Sequence, residues 1–183
     1  MLKRVVAAFV LSLALVVSAW AAELTPEQRT ALETRIATFD QAMRDSDIAA
    51  TMSVVPDKIL QKIADTYGVT VEQMIEAAQE QMDQLLQGGT VTIESFGMDL
   101  DAARIEELAD GTPYALIPTE TVINLGAEMG KVRTRSETLG LLDEGQWYLL
   151  RTEDPQQAAI LKEVYPGFAD VEFAPATTEP VTP

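Results

Sequence analysis

Apolar residues along the chain recur first at helical spacing and then in alternation, and the change falls near Thr90. The first helix is predicted from Thr25-Pro26-Glu27-Gln28, where Thr25 caps, Pro26 suits the first helical position and Gln28 completes a capping box. Leu32, Ile36, Phe39 and Met43 then fall on one stripe of a helix ending near Asp45. Asp47 caps a short second helix, Ile48 to Val55, which Pro56 stops. Asp57 to Leu86 divides into two helices at Tyr67-Gly68; Thr70 and Gln73 form a second capping box, and Gly88-Gly89 ends the run.

Beyond Thr90 the period is two. TVTIESF is a first strand, Arg104 to Ala109 a second, and Tyr114 to Leu125 a long third reached through an Asp110-Gly111 turn. Pro118 lies inside the third strand and requires an edge position or a bulge there, because proline lacks the N–H that a ladder uses. Lys131 to Thr152, KVRTRSETLGLLDEGQWYLLRT, reads as a hairpin turning at Asp143-Glu144-Gly145. With Leu142 opposite Gln146, Leu139, Leu141, Trp147 and Leu149 share one face, either as core or as the lining of an apolar ligand site. Asp154-Pro155 begins a last helix carrying Ala158, Leu161 and Val164, and Val171 to Phe173 is a short closing strand. The Pro- and Thr-rich tail, residues 174–183, is expected to be disordered.

Helices followed by a run of antiparallel strands indicate an α+β fold: N-terminal helices on a curved sheet, cone-like, with a C-terminal helix. The opening FDQAMRDSDIAATMSVVP and the ending Asp-Glu-Gly-Gln-Trp-Tyr-Leu-Leu resemble the nuclear-transport-factor-2-like superfamily, which includes the ketosteroid-isomerase-like proteins. The resemblance covers residues 25–152 in architecture. It implies a bent sheet wrapped round helices, often with a pocket at the open end. Asp57 to Leu86 is longer than the simple cone requires, and the helix after Trp147 extends past the usual end; either can fill or cap the pocket. Superfamily members include enzymes, ligand carriers and assembly modules, so the fold leaves function open.

Composition narrows the address. Lys3 and Arg4 precede an apolar run from Val5 to Val17, and Ala19-Trp20-Ala21 has the small-x-small pattern of signal-peptide cleavage. Residues 1–21 are therefore expected to be a cleaved signal peptide and 22–173 a single domain, periplasmic or secreted. An uncleaved anchor is the competitor, since the apolar stretch through Ala22 just reaches a spanning length. The chain has no Cys, so it forms no disulfide and carries no lipidated cysteine. Its net charge is −16, and cleavage removes two basic residues and no acid, making it more negative. Nucleic acid and anionic membrane surfaces would repel such a protein, so neither is expected as a partner. Leu60 to Thr70, followed by Ile75, resembles a helix-turn-helix, but the would-be reading helix TVEQMIEAAQEQMDQLL has no Lys or Arg to meet phosphate.

Candidate chemistry must work without His or Cys. Ser-His-Asp and Cys-His catalysis are excluded, as are the commonest zinc sites. What the resemblance to isomerase-like proteins implies is an Asp base with a Tyr hydrogen-bond donor, and Asp99, Asp101, Tyr114 and Tyr148 are the residues available for those parts. Arg133 and Arg135 lie on one strand face and can hold a carboxylate or phosphate; in the register above, Arg151 instead falls opposite Glu137 and Arg135 opposite Glu153, which makes them surface ion pairs. Asp99, Asp101, Glu106 and Glu107 lack the calcium-loop pattern, so no metal or other cofactor is expected. The leading expectation is a non-catalytic exported domain binding a small apolar or amphipathic ligand or a protein partner. The alternatives are an isomerase- or hydratase-like enzyme using an Asp/Tyr pair, and an assembly module that forms a homodimer through its sheet.

Overall fold

A computed structural model describes residues 23–87, 92–126 and 129–181. The expected signal peptide, the Gly88-Gly89 stop and the start of the first strand at Thr90-Val91 lie outside the described residues. No helix among those described is long and apolar enough to cross a membrane.

The chain forms α1 Pro26–Asp45, α2 Ile48–Met52, α3 Asp57–Tyr67, α4 Val71–Gln87, β1 Thr92–Met98, β2 Arg104–Glu107, β3 Pro113–Asn124, β4 Lys131–Asp143, β5 Gln146–Arg151, α5 Pro155–Val164 and β6 Thr177–Pro180. This is an α+β architecture, with N-terminal helices, an antiparallel sheet curled into a half-barrel, and a C-terminal helix and strand.

Local chemistry sets most helix ends. The Thr25 hydroxyl accepts from the Gln28 N–H at 3.2 Å while the Gln28 side chain accepts from the Thr25 N–H at 2.9 Å, and Thr70 and Gln73 repeat the exchange before α4. Gly68, at φ 68°, turns the backbone left-handed to end α3. Asp47 caps α2, but α2 stops at Met52 rather than Val55. Just past its end the Val54 carbonyl accepts a hydrogen bond of 2.7 Å from the Leu149 N–H, covering part of the outer edge of β5.

The sheet has two long strands, β3 and β4, paired from Tyr114↔Leu141 to Asn124↔Lys131. Each outer lane is split. β1 and β2 lie end to end along β3, and β5 and β6 end to end along β4. Pro118 falls in the break between β1 and β2, since Met98 pairs with Thr119 and Arg104 with Leu116. Its carbonyl accepts from the Asp99 N–H at 2.9 Å. An antiparallel residue points its N and O to the same side, so the missing N–H falls where no strand needs it.

The β4–β5 hairpin differs from expectation by one residue. Asp143 pairs with Gln146 and Leu142 with Trp147, across a two-residue loop in which Glu144 (φ 50°) and Gly145 (φ 80°) are both left-handed. A slip of one residue exchanges the faces. Leu139 and Leu141 therefore stand with Tyr148 and Leu150, while Trp147 and Leu149 stand with Leu142 and Gly140 on the opposite face. The four residues expected to share one surface are divided between two cores.

One core, under α1 and the segment after α2, contains Leu32, Val54, Ala115, Ile117, Trp147 and Leu149. Gly140 lets α1 approach the sheet, because a Cβ there would stand 3.2 Å from the Ala115 Cβ and 3.4 Å from Leu32 Cδ1. The other core packs Tyr114, Leu116, Leu139, Leu141 and Leu150 against Ile59 of α3, Leu161 of α5 and Phe168. Val171 and Phe173, expected in a strand, join this second core as irregular chain.

The tail is also corrected. Thr177–Pro180, expected to be disordered, forms β6 against Val132–Arg135. β4 extends beyond the end of β5 and leaves an edge free, and Glu179 binds Arg135 there at 2.7 Å. Opposite charge and open backbone groups together supply what composition alone does not reveal.

Candidate functional site

Strand alternation places Thr119, Thr121 and Ile123 of β3 on the same face as Thr134, Ser136 and Thr138 of β4, with Thr119 opposite Ser136 and Thr121 opposite Thr134. Threonine suits a strand because its branched Cβ packs well on the pleat. The result is a floor of neutral hydroxyls in the half-barrel. Above it lies a cavity of about 480 Å³.

Its walls are apolar and come from every N-terminal helix. Phe39 and Met43 of α1, Met52 of α2, Leu60 and Ile63 of α3 and Met82 of α4 line it, with Ile93, Phe96 and Met98 of β1 opposite. Ile93 is 44% exposed and marks a mouth. Leu149, Arg151, Gln157 and Ile160 line the part nearest the end of β5.

The floor is partly satisfied within the protein. Thr119 Oγ1 donates to the Ile117 carbonyl at 3.0 Å, so the 2.8 Å contact between the Thr119 and Thr138 hydroxyls is donated by Thr138. Thr134 shares a 3.1 Å bond with Thr178 of β6. Among the described residues, Thr121 and Ser136 make no side-chain hydrogen bond. No carboxylate and no tyrosine belongs to the described lining. Arg151 is its one ionisable group, and that guanidinium is bound to Glu153.

The candidate catalytic residues are placed apart from this cavity. Asp99 is exposed, and its carboxylate accepts from the Ala102 N–H at 3.1 Å. Asp101 is exposed and binds Arg29. Tyr114 is buried in the core beneath α5, edge-on to Phe168 at 5.3 Å, and donates to Glu106 at 2.5 Å. Burial, and then the Glu106 carboxylate, push its pKa up to about 12. The Tyr148 hydroxyl donates to Gln146 at 3.1 Å, and Arg35 lies 5.6 Å from the ring centroid. Neither aspartate meets a tyrosine hydroxyl. The aspartate–tyrosine contact that does form joins Asp143 to Tyr165, with Lys58 beside them. Lys58, Asp143 and Tyr165 stand on three separate elements, and no spacing in the sequence marks them as neighbours.

Of the candidate ligand-binding residues, Leu149 lines the cavity; Trp147 is buried nearby under α1, while Leu139 and Leu141 belong to the opposite core. Among the described residues the buried Trp147 indole N–H has no hydrogen-bond partner. Arg133 and Arg135 alternate with Thr134 and so point away from the cavity, where both meet Glu120 and Glu179. The cross-strand pairs expected for this region are replaced by Arg104–Glu137 at 3.1 Å and Arg151–Glu153, as the altered register requires. Among the described residues, no group of three or more acidic side chains stands in an arrangement that would hold a metal ion. The chain matches no protein-family model, no curated protein and no solved structure.

Proposed function

We propose that the protein is a non-catalytic binding domain that takes a small apolar or amphipathic ligand between α1–α4 and the sheet. The observation that carries this reading is the 480 Å³ cavity with apolar walls and a floor of neutral hydroxyls. That size falls within the range of small-molecule sites, which combine apolar walls with a few polar groups. An isomerase- or hydratase-like enzyme would need an acid and a tyrosine in the cavity, and neither type is in the described lining. An assembly module would be favoured by a filled cone. The curved sheet and the helices packed on it support the likeness to the nuclear-transport-factor-2-like cone. Export to the periplasm or beyond remains part of the proposal, carried by the pattern of residues 1–21.

The test is titration of the full chain with the fluorescent apolar probe N-phenyl-1-naphthylamine, beside a Thr121→Trp variant that fills the floor. Saturable binding that the variant loses, with its thermal unfolding still cooperative, supports the reading. Absence of saturable binding by the parent, or equal binding by both proteins, overturns it.

A further inference from the structure

The ligand's head group can be read from the charges and hydroxyls of the same cavity, and this step rests on the cavity being a binding site. An ion carried into an apolar site pays a large desolvation cost unless a partner of opposite charge awaits it. For a cationic head the described lining holds no carboxylate. For an anionic head the one lining cation, Arg151, is already paired with Glu153, and the chain's net charge of −16 opposes anion entry. A pure hydrocarbon fits no better. It would cover the Thr121 and Ser136 hydroxyls, which have no hydrogen-bond partner among the described residues, and cut them off from solvent without replacing its hydrogen bonds.

What fits is a molecule whose polar end is uncharged and can both donate and accept hydrogen bonds. Thr121 and Ser136 are diagonal neighbours across the β3–β4 pair, one from each of the Thr119↔Ser136 and Thr121↔Thr134 rungs. Each hydroxyl offers one proton and two lone pairs, so the pair can grip a hydroxyl, ester or amide from two sides. The apolar remainder would lie along Met43, Met52, Met82 and Phe96, where unbranched thioether side chains adapt to a flexible chain. We infer that the cavity takes an amphipath with an aliphatic chain and an uncharged, hydrogen-bonding head, held by Thr121 and Ser136.

The experiment is displacement of N-phenyl-1-naphthylamine from the full chain by four probes sharing one alkyl length, each kept below its aggregation threshold. These are monolaurin, laurate, lauryltrimethylammonium and dodecane. Monolaurin is expected to compete about tenfold better than the other three, the factor that one to two net hydrogen bonds supply. With the reporter's own affinity measured in each protein, a Thr121→Val, Ser136→Ala double variant should lose most of monolaurin's advantage over the other three. Laurate, the cation or dodecane competing as well as monolaurin, or an advantage unchanged in the double variant, overturns the head-group inference while leaving the cavity as a binding site. A parent protein that fails to bind the reporter removes the cavity reading, and this inference with it.

Discussion

The Tyr165 hydroxyl donates to the Asp143 carboxylate across 2.8 Å, tying the end of α5 to the turn of the β4–β5 hairpin. Lys58 of α3 reaches the same carboxylate oxygen at 2.8 Å and lies 5.7 Å from the Tyr165 ring centroid. Burial pushes the Asp143 pKa up, but the hydrogen bonds from Lys58 and Tyr165 outweigh it and hold the carboxyl below its ordinary range. Burial and the Asp143 carboxylate push the Tyr165 hydroxyl well above the ordinary tyrosine range.

Removing this tie has a signed pH signature. A carboxyl with a lowered folded-state pKa adds stability that is present above its unfolded value, about 4, and is lost as pH falls through the folded value. Tyr165→Phe should cost about 1 to 2 kcal/mol at neutral pH in urea unfolding. The gap between variant and parent should narrow below about pH 4, the unfolded carboxyl value. A gap that stays constant from neutral to acid pH would show that the hydroxyl contributes nothing through Asp143.

Tyr114 predicts the opposite window. Its folded-state pKa of about 12 exceeds the ordinary tyrosine value, so its contribution is complete below pH 10 or so and lost as pH climbs through about 12. Tyr114→Phe should therefore be less sensitive to alkali than the parent when urea midpoints are compared across that range. Equal alkaline losses would show that the Tyr114 hydroxyl is not held neutral by its surroundings.

Trp147 is 2% exposed and packs in the core that contains Leu32, Ala115 and Ile117. Trp147→Ala should destabilise the fold by about 3 to 5 kcal/mol. Trp147→Phe should cost less, because it keeps an aromatic ring and removes a buried indole N–H that has no partner among the described residues. Denaturant unfolding of both variants checks the ranking. An unchanged midpoint for Trp147→Ala would remove the hairpin from its organising place.

The tail can be tested through one charge. Glu179 meets both Arg133 and Arg135, so Glu179→Lys places like charges together and should release β6. Hydrogen exchange of the β4 segment Val132–Arg135 should rise while exchange at Leu139–Leu141 stays unchanged. Equal protection in both proteins would mean that the backbone ladder alone holds the tail.

The readable parts of this fold are those set by nearest neighbours. Thr25 with Gln28, Thr70 with Gln73 and Gly68 announce helix ends through side chains three residues apart or through one permissive glycine. The hairpin was legible in place but not in register. Glu144 adopts a left-handed conformation that a side chain ordinarily avoids, and that makes the two-residue loop. That single backbone angle decides which face Trp147 occupies. The cavity was less legible still, since its lining draws on five helices and four strands. The threonines of the floor look like ordinary strand formers until the helices arrive above them. The tail's ladder depended on an unpaired stretch of β4 that becomes visible only once β5 is known to end at Arg151.

The broken outer lanes bear on how the protein behaves when many copies are crowded together. An uninterrupted edge strand invites a neighbour's backbone and templates aggregation. Among the described residues no outer strand exceeds seven residues, and β1, the longest of them, is bulged between Ile93 and Ser95. β5 gives one of its outward N–H groups to Val54, and β6 carries Pro180. Bulges, short strands and an edge proline all discourage intermolecular pairing. The interruptions at Pro118 and after Arg151 thus leave two long strands sheltered in the middle and little continuous backbone for fibril growth.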